Sequence, residues 1–362
     1  MEDLELKLIT EGKTSLFVPH PAKAGKRGPG KNVGYGFYNP AMEFCRDVTI
    51  LVVQWLVNKS NRQIRILDGL SASGIRGIRI AREVDGDFTV TLNDWNENAI
   101  ELIKRNLEYN NIRNADIRCE NINSLLCRER FHYIDIDPFG SPVPYLDIAI
   151  RAVLPHGIIA VTATDTATLC GVYPKTCIRR YGAIPMHFWA MHEIGLRILI
   201  GYICREAAKY DRSIEPVLSY ATDHYMRVYV KVERGARRAD RCLENVKKVE
   251  IEDLKLNKRE AGPIWTGRLH DKVAVLELKK ILRQKELGTS RDIEKLLDRA
   301  LEEADMPMLF YTVDVLAKHF KVSPPKMNRI MKKLEIEGYR VTRTHFSDSA
   351  FKTDAPREII LK

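Results

Sequence analysis

From residue 44 to residue 165 short apolar runs alternate with longer stretches of helical spacing. Residues 44–57 (FCRDVTILVVQWLV) read as an amphipathic helix, and IRILD (64–68) is a short apolar run closing on Asp68. GIRGIRIAREV (74–84) returns to helical spacing, with Ile75, Ile78, Ile80 and Ala81 on or near one face. FTVTLND (88–94) predicts a strand, and residues 96–111 a helix begun by an Asn cap and ended by two asparagines. ADIRC (115–119) and FHYIDID (131–137) follow as strands, then a helix at 147–154 and a strand at 157–165. Strand and helix exchange roughly every 25 residues, the rhythm of a parallel, doubly wound α/β sheet.

Beyond it lie a helix at 187–209 and two strands within 214–232, read as an antiparallel edge. Residues 235–268 are charged and irregular, with GPIWTG (262–267) a possible last strand. Two helical stretches (271–286 and 290–304) lead into a segment read as helix (Asp314–Phe320), turn, helix (Pro324–Glu337) and two strands around a polar tip. That is the layout of a winged helix-turn-helix. On its second helix Met327, Ile330, Met331 and Leu334 face inward, and Lys326, Arg329 and Lys333 share the other side. The expected domains are 1–268 and 269–362, with 235–268 assigned to the first only provisionally.

The chain has 362 residues and a formal net charge of +10, which fits a polyanionic partner. Basic residues cluster in two places besides the C-terminal helix. Between Gly12 and Met42 there is no acidic residue, while Lys13, Lys23, Lys26, Arg27 and Lys31 are basic and glycines are frequent. YPKTCIRRYG (173–182) brings Lys175, Arg179 and Arg180. Either run is read as a nucleic-acid contact or a solvated surface. No apolar run approaches the roughly 20 residues of a membrane span. The N-terminal MEDLELKLITEGK has neither signal nor transit character, so a cytoplasmic protein is expected. The seven cysteines form no Cys-x-x-Cys pair, which argues for reduced thiols and against a zinc ribbon or a disulfide framework.

In a doubly wound sheet ligands sit outside the carboxyl ends of the strands. The successive strands deliver Asp68 with GLSASGIRG, then Asp94, then CENI (119–122), then Asp137. Gly69-x-Ser71-x-Ser73-Gly74 is not the Gly-x-Gly-x-x-Gly of a dinucleotide site. An acidic rim repels a pyrophosphate and suits a cationic ligand with ribose hydroxyls, such as S-adenosylmethionine, with Asp94 on the ribose diol. Asp68 or Asp94 alone would pass for a strand-end turn residue; the pair is more specific.

DIDPFGSP (135–142) carries the candidate chemistry. The lone pair of a base's exocyclic amine is delocalised into the ring, so the amine is a poor nucleophile. An acceptor on its N–H groups draws it toward an electrophilic methyl and stabilises the developing positive charge. Asp137 supplies a carboxylate, and Pro138, with fixed φ and no N–H, holds a backbone carbonyl as a second acceptor. Phe139 offers a stacking face, and Gly140 and Pro142 let the chain turn away.

DPFGSP resembles the Asp-Pro-Pro-Tyr-type motif of amino-methyltransferases. The chain as a whole resembles the archaeal and eukaryotic tRNA (guanine-26) dimethyltransferase family, through EGK (11–13), FYNPAMEFCRD (37–47), LDGLSASGIRGIR (67–79), LND (92–94), DIDPFGSP, VTATDTATLCG (161–171) and DHYMRVYVKV (223–232). The resemblance implies a class I S-adenosylmethionine-dependent methyltransferase sheet with a C-terminal α+β domain. It also implies S-adenosylmethionine as cofactor and tRNA as partner, with two methyls transferred to N2 of guanosine 26. It places Phe37 and Arg46 at the pocket's closure, Arg46 meeting the methionine carboxylate. Asp68, Ser71, Ala72, Ser73, Gly74 and Arg76 would line the methionine end, Asp94 would take the ribose, Asp137 would be catalytic, with Pro138 and Phe139 beside it, and would also border the cofactor, and Phe139 would touch the substrate. The family's third strand presents an Asp-Ala pair to the adenine; the matching residues here are Asn121 and Ile122, and the Asn carbonyl can still accept from the adenine amine. Some members carry zinc-binding cysteine pairs; only Cys242 stands in that region here, so no metal is expected. No feature calls for a protein partner, and a monomer is expected. The competing readings are an amino-methyltransferase for rRNA or DNA, and a non-catalytic RNA-binding protein on the same fold.

Overall fold

The computed structural model describes residues 6–19, 37–222, 224–254 and 257–360. A hairpin of β1 (Leu6–Glu11) and β2 (Thr14–Pro19) precedes helix α1 (Glu43–Asn58). The alternating part runs β3 (Ile64–Asp68), α2 (Ile75–Glu83), β4 (Phe88–Asp94), α3 (Glu97–Tyr109), β5 (Ala115–Cys119), α4 (Ile122–Arg128), β6 (Phe131–Ile136), α5 (Val143–Ala152) and β7 (Val153–Ala163). Then come α6 (Thr166–Leu169), α7 (Pro174–Tyr181), α8 (Met191–Ala208), β8 (Arg212–Ala221), β9 (Met226–Arg234), α9 (Ala236–Leu243), β10 (Val246–Glu252) and β11 (Lys258–Trp265). The chain continues with α10 (Lys272–Leu282), α11 (Ser290–Glu303), β12 (Tyr311–Thr312), α12 (Val313–Phe320), α13 (Met327–Ile336), β13 (Val341–Arg343), β14 (Ala350–Thr353) and α14 (Arg357–Ile360).

Seven strands form one sheet in the order β5-β4-β3-β6-β7-β9-β8. The pairs among β3 to β7 are parallel, and β8 pairs with β9 antiparallel. Phe131, Tyr133, Ile134 and Ile136 of β6 are fully buried, which is why this strand reads as a continuous apolar run rather than an alternation. The strand sequence reverses direction between β3 and β6, so the carboxyl ends of those two strands flank the switch-point crevice. The doubly wound α/β expectation holds.

Several elements depart from the sequence reading. Residues 235–268, expected to be irregular, form α9 and the hairpin β10–β11. Charge concealed them: α9 buries only Ala239 and Cys242. The possible strand at 262–267 is the end of β11, Lys258–Trp265. The helix expected at 147–154 starts at Val143, since Pro144 is tolerated in a first turn. Helix α13 begins at Met327 rather than Pro324, because a proline biases the residue before it away from the helical region. Hairpin β1–β2 turns at Gly12, whose φ is +53°, and buries Leu16 and Val18 against Ile75.

The described residues fall into two compact units. The first lies within residues 1–138, 144–161 and 277–294, and the second within 139–143, 162–276 and 295–362. In the first, α1 is buried nearly all round, its polar residues included. Asp47 meets Arg79 at 2.7 Å, and Gln54 donates to the Asp85 carbonyl at 2.9 Å. Arg79 is fully buried. Burial opposes its charge, but Glu83 and Asp47 outweigh burial and raise its pKa. In the second unit, α8 lies against β8 and β11. Toward its C-terminus, Leu316, Leu334 and Phe351 form a small core, with Met327, Ile330 and Val341 packed on it. The strands there order β12-β14-β13. Among the described residues no helix is long and apolar enough to cross a membrane.

Candidate active site

The parallel register of β3 and β6 sets Asp68 beside Asp135. Asp137 follows one residue past the end of β6, and Asp135 and Asp137, two apart, project to the same side. Asp68 and Asp135 are 3% and 1% exposed. One guanidinium serves all three carboxylates. Arg76, near the start of α2, donates from Nη2 to Asp137 Oδ2, and its Nε lies 3.6 Å from Asp135 Oδ1. Its Nη1 donates to Thr49 Oγ1 at 2.8 Å.

Anionic charge is in excess at this point. Burial pushes the Asp68 carboxyl up to about 7; Arg76 pulls it down, Asp135 pushes it further up, and the Gly77 N–H, donating to Oδ2 at 2.9 Å, pulls it down. A buried carboxylate group short of countercharge favours a proton or a cation.

The loop after β3 is pinned from three sides. Gly69 N–H donates to the Asp135 carbonyl at 3.1 Å, Ser71 N–H to the Asn93 carbonyl at 2.9 Å, and Ala72 N–H to Asp94 Oδ2 at 2.9 Å. Asp94 Oδ1 accepts from Asn96 N–H at 3.0 Å. Gly74 turns into α2 with φ +79°. A Cβ at Gly69 would stand 2.3 Å from Ile122 Cδ1 and 2.9 Å from the Asp135 carbonyl, so the strand ends approach as closely as glycine permits. Ser71, Ser73, Gly74 and Ile122 are buried, Ala72 is half-buried and Asn121 is exposed. Asn121 caps α4, its Oδ1 accepting from Asn123 N–H at 2.9 Å.

Arg46 departs from expectation. Its Nε and Nη2 donate to Glu11 Oε2 and Oε1 at 2.8 and 2.5 Å, and Nη2 also donates to the Asn39 carbonyl at 3.1 Å. Tyr38 O–H donates to Glu11 Oε1 at 2.8 Å. The fork expected for a ligand carboxylate is filled by a carboxylate of the chain itself, and it ties the strip Tyr38–Asn39 to α1. Phe37 is half-buried beside that strip.

Pro138 is buried, and Phe139, 54% exposed, presents the largest apolar group of the DIDPFGSP stretch. In the second unit the turn that follows is braced. Gly140 N–H donates to Thr164 Oγ1 at 2.6 Å, Ser141 Oγ meets Tyr181 O–H at 2.9 Å, and Tyr181 donates to Asp165 Oδ1 at 2.7 Å. Arg180 pairs with Asp165 at 3.2 Å, and Lys175 and Arg179 are exposed on the same helix, α7. Lys326, Arg329 and Lys333 are exposed on or beside α13. Lys26, Arg27 and Lys31 lie outside the described residues.

Sequence reasoning singled out Asp68 and Asp94, which end β3 and β4, and Asp137, which follows β6 directly. It missed Glu11, Thr49 and Asp135, and it gave Arg76 to the cofactor without the clasp on Asp137. The one available signal was the two-residue spacing of the carboxylates in DID.

The N2,N2-dimethylguanosine tRNA methyltransferase family model matches residues 30–362. The tRNA (guanine(26)-N(2))-dimethyltransferase of Pyrococcus furiosus is 40% identical, across 99% of this chain and 98% of that relative. The enzyme of the same name from Methanobrevibacter smithii is 36% identical, across 98% and 96%. The solved structure of Trm1 from Pyrococcus horikoshii with S-adenosyl-L-methionine superposes with a TM-score of 0.87 at 37% identity, covering 98% of this chain and 99% of that one. With the α/β sheet and the carboxylate-lined crevice already in place, the chain belongs to the N2,N2-dimethylguanosine tRNA methyltransferase family.

Proposed function

We propose that this protein transfers two methyl groups in succession from S-adenosylmethionine to the exocyclic N2 of guanosine 26 in tRNA. The observation that carries the reading is the carboxylate excess at the switch point: Asp68, Asp135 and Asp137 around the single guanidinium of Arg76. That environment suits the ammonium and sulfonium of the cofactor. When bound, the cofactor supplies an electrophilic methyl group.

The chain's own residues would do the rest. Asp68 would meet the cationic methionine end, with the Ser71–Gly74 loop as its floor. Asp94 would take the ribose hydroxyls with the lone pairs not engaged by Ala72 and Asn96. Asn121 and Ile122 would border the adenine. Arg46 would act through Glu11 and Tyr38, holding Phe37–Asn39 as one wall. Asp137, with Oδ2 held by Arg76, would turn Oδ1 to an N–H of guanine N2, and the Pro138 carbonyl would accept the second N–H. Accepting these bonds would raise the electron density on nitrogen and stabilise its positive charge as the new N–C bond forms and the methyl–sulfur bond breaks, and Asp137 Oδ1 would take the N–H proton that the product gives up. The first product keeps one N–H, so Asp137 has a donor to hold for the second transfer. Phe139 would stack on the purine. The base must leave its stack to reach these groups.

The exposed bases of α7 (Lys175, Arg179, Arg180) and of the α13 region (Lys326, Arg329, Lys333) would contact the tRNA backbone, with Lys26, Arg27 and Lys31 as a third contact. The layout β12-α12-α13-β13-β14 supports a winged-helix reading of that C-terminal module.

The test is mass spectrometry of nucleosides from tRNA transcripts incubated with the protein and S-adenosylmethionine. N2-methylguanosine followed by N2,N2-dimethylguanosine is expected on a G26 transcript and neither on an A26 transcript. Methylation equal on both, or found only on rRNA or DNA, would overturn the reading.

A further inference from the structure

Two thiols of the second unit face each other. Cys204 stands near the end of α8 and Cys242 near the end of α9, and their sulfurs are 3.2 Å apart. They are 1% and 7% exposed and separated by 38 residues. The peptide of Ile214 lies against Cys242, with both its N–H and its carbonyl 3.5 Å from Sγ. A sulfur that receives an N–H and a neighbouring S–H is favoured as an anion, and Cys242 is accordingly held below the usual thiol range, first by Cys204, against the opposing effect of burial. Its neighbour is pushed the other way. Each sulfur lies within reach of the other, and the Ile214 N–H beside Cys242 favours that sulfur as the one that attacks. Closing a bond of about 2.05 Å requires the sulfurs to approach by only about 1.1 Å. The described structure holds both as free thiols.

We propose that Cys204 and Cys242 form a peroxide-driven intramolecular disulfide that fastens α9 to α8. The oxidant is hydrogen peroxide, small enough to reach a nearly buried sulfur. Cys242 Sγ attacks one peroxide oxygen, the O–O bond breaks, and the departing hydroxide takes a proton to leave as water. The product is a sulfenic acid on Cys242. Cys204 Sγ then displaces hydroxide from that sulfur, its proton joins the leaving group as a second water, and the S–S bond is complete. Two thiols lose two electrons, and one peroxide becomes two waters. The cross-link closes a loop containing all of β8 and β9 and limits the unfolded chain, so it stabilises this part of the molecule.

The experiment uses the full chain, reduced, exposed to hydrogen peroxide, quenched in acid, alkylated with N-ethylmaleimide under denaturing conditions and digested with trypsin. Cys204 falls in the peptide 198–205 and Cys242 in the peptide 242–247. The expected result is one joined species of these two peptides, abolished by dithiothreitol, with a melting temperature about 5 °C above that of the reduced protein. Cys204→Ser should give a dimedone-trappable sulfenic acid on Cys242, no joined peptide and no gain in melting temperature. Full alkylation of both peptides after peroxide, a bridge from Cys242 to a different cysteine, or a thermal gain retained in Cys204→Ser would each overturn the proposal.

Discussion

Each of the two units buries a cluster of charges, and the clusters behave oppositely. In the first, Asp68, Asp135 and Asp137 share Arg76, and burial drives the Asp68 carboxyl up to about 7. In the second, Glu193 and Glu303 meet Lys352 and Arg197. Lys352 Nζ lies 2.8 Å from Glu193 and 3.8 Å from Glu303, and Arg197 lies 2.9 Å from Glu193. His345 and Thr344 also bond Glu303. Burial works against both glutamates there, yet both are held below the usual carboxylate range: Lys352 acts first on Glu193, and His345 first on Glu303. A buried cluster whose charges balance is finished as it stands. A cluster with a surplus of anion is waiting for something cationic. His270, Glu303 and His345 place ligand-type atoms within 4.8 Å of one another, but the ammonium of Lys352 already supplies positive charge there.

The strongest break in this contrast is Asp137→Ala. Turnover on tRNA should fall on the order of 10³-fold, the scale of losing one preorganised acceptor, while tRNA still binds. Single-turnover methyl transfer measured beside equilibrium binding separates the two, and unchanged turnover would remove Asp137 from the chemistry. Next is Glu303→Gln in the balanced cluster. It removes the buried anion beside His345 and leaves Lys352 with Glu193 as its remaining carboxylate, and a loss of about 3–5 kcal/mol in unfolding free energy is expected by denaturant titration. Cofactor affinity measured on the folded variant should stay as in the parent. Because the folded pKa of Glu303 is depressed, its contribution is present above the ordinary carboxylate value near 4.5 and is lost as pH falls through the folded pKa. The difference between parent and variant should therefore shrink only in acid.

Asp68→Asn sharpens the comparison, because its sign is reversed. The folded pKa of Asp68 lies above its unfolded value of 3.8, so the native state holds a proton that the unfolded chain gives up. That contribution is lost as pH rises toward about 7, and above it the carboxylate is a cost to the ligand-free fold. The variant should be more stable than the parent by roughly 1–3 kcal/mol at pH 8, with the gap closing toward pH 4. It should also bind S-adenosylmethionine more weakly. The parent's affinity should rise with pH through the region near 7 and the variant's should be flat, which isothermal titration at several pH values reads directly. A parallel pH dependence in the two would show that Asp68 does not meet the cofactor's cationic end.

The sequence made legible whatever is local. Buried parallel strands appear as apolar runs, the helices between them as 3.6-residue spacing, and strand-end carboxylates as the last residue of each run. The Asn96 cap of α3 was readable because capping lies within two residues of sequence. The partnerships were not. Arg76 and Asp137 are 61 residues apart, and Arg46 and Glu11 are 35 apart. Nothing in spacing tells an arginine which carboxylate it will meet, so Arg46 was directed to a ligand and found Glu11. Surface elements that are short, charged and bury little, α9 and β10, were passed over as irregular.

The smallest expected effect falls outside both clusters. Lys326, Arg329 and Lys333 are exposed, and of the three Lys333 has a distant partner in Glu337, at 3.9 Å. Exposed charges of this kind add little to folding, so replacing all three with glutamine should leave the melting temperature nearly unchanged. Affinity for tRNA is a different matter, because each cation on a phosphate releases a counterion and steepens the dependence on salt. If α13 touches the tRNA backbone, the slope of log affinity against log salt should flatten by about 2–3 in the triple variant, with weaker binding at low salt and little change in kcat. Fluorescence anisotropy over a salt series measures the slope. An unchanged slope would make the basic face of α13 an ordinary solvated surface and move the test to the exposed bases of α7.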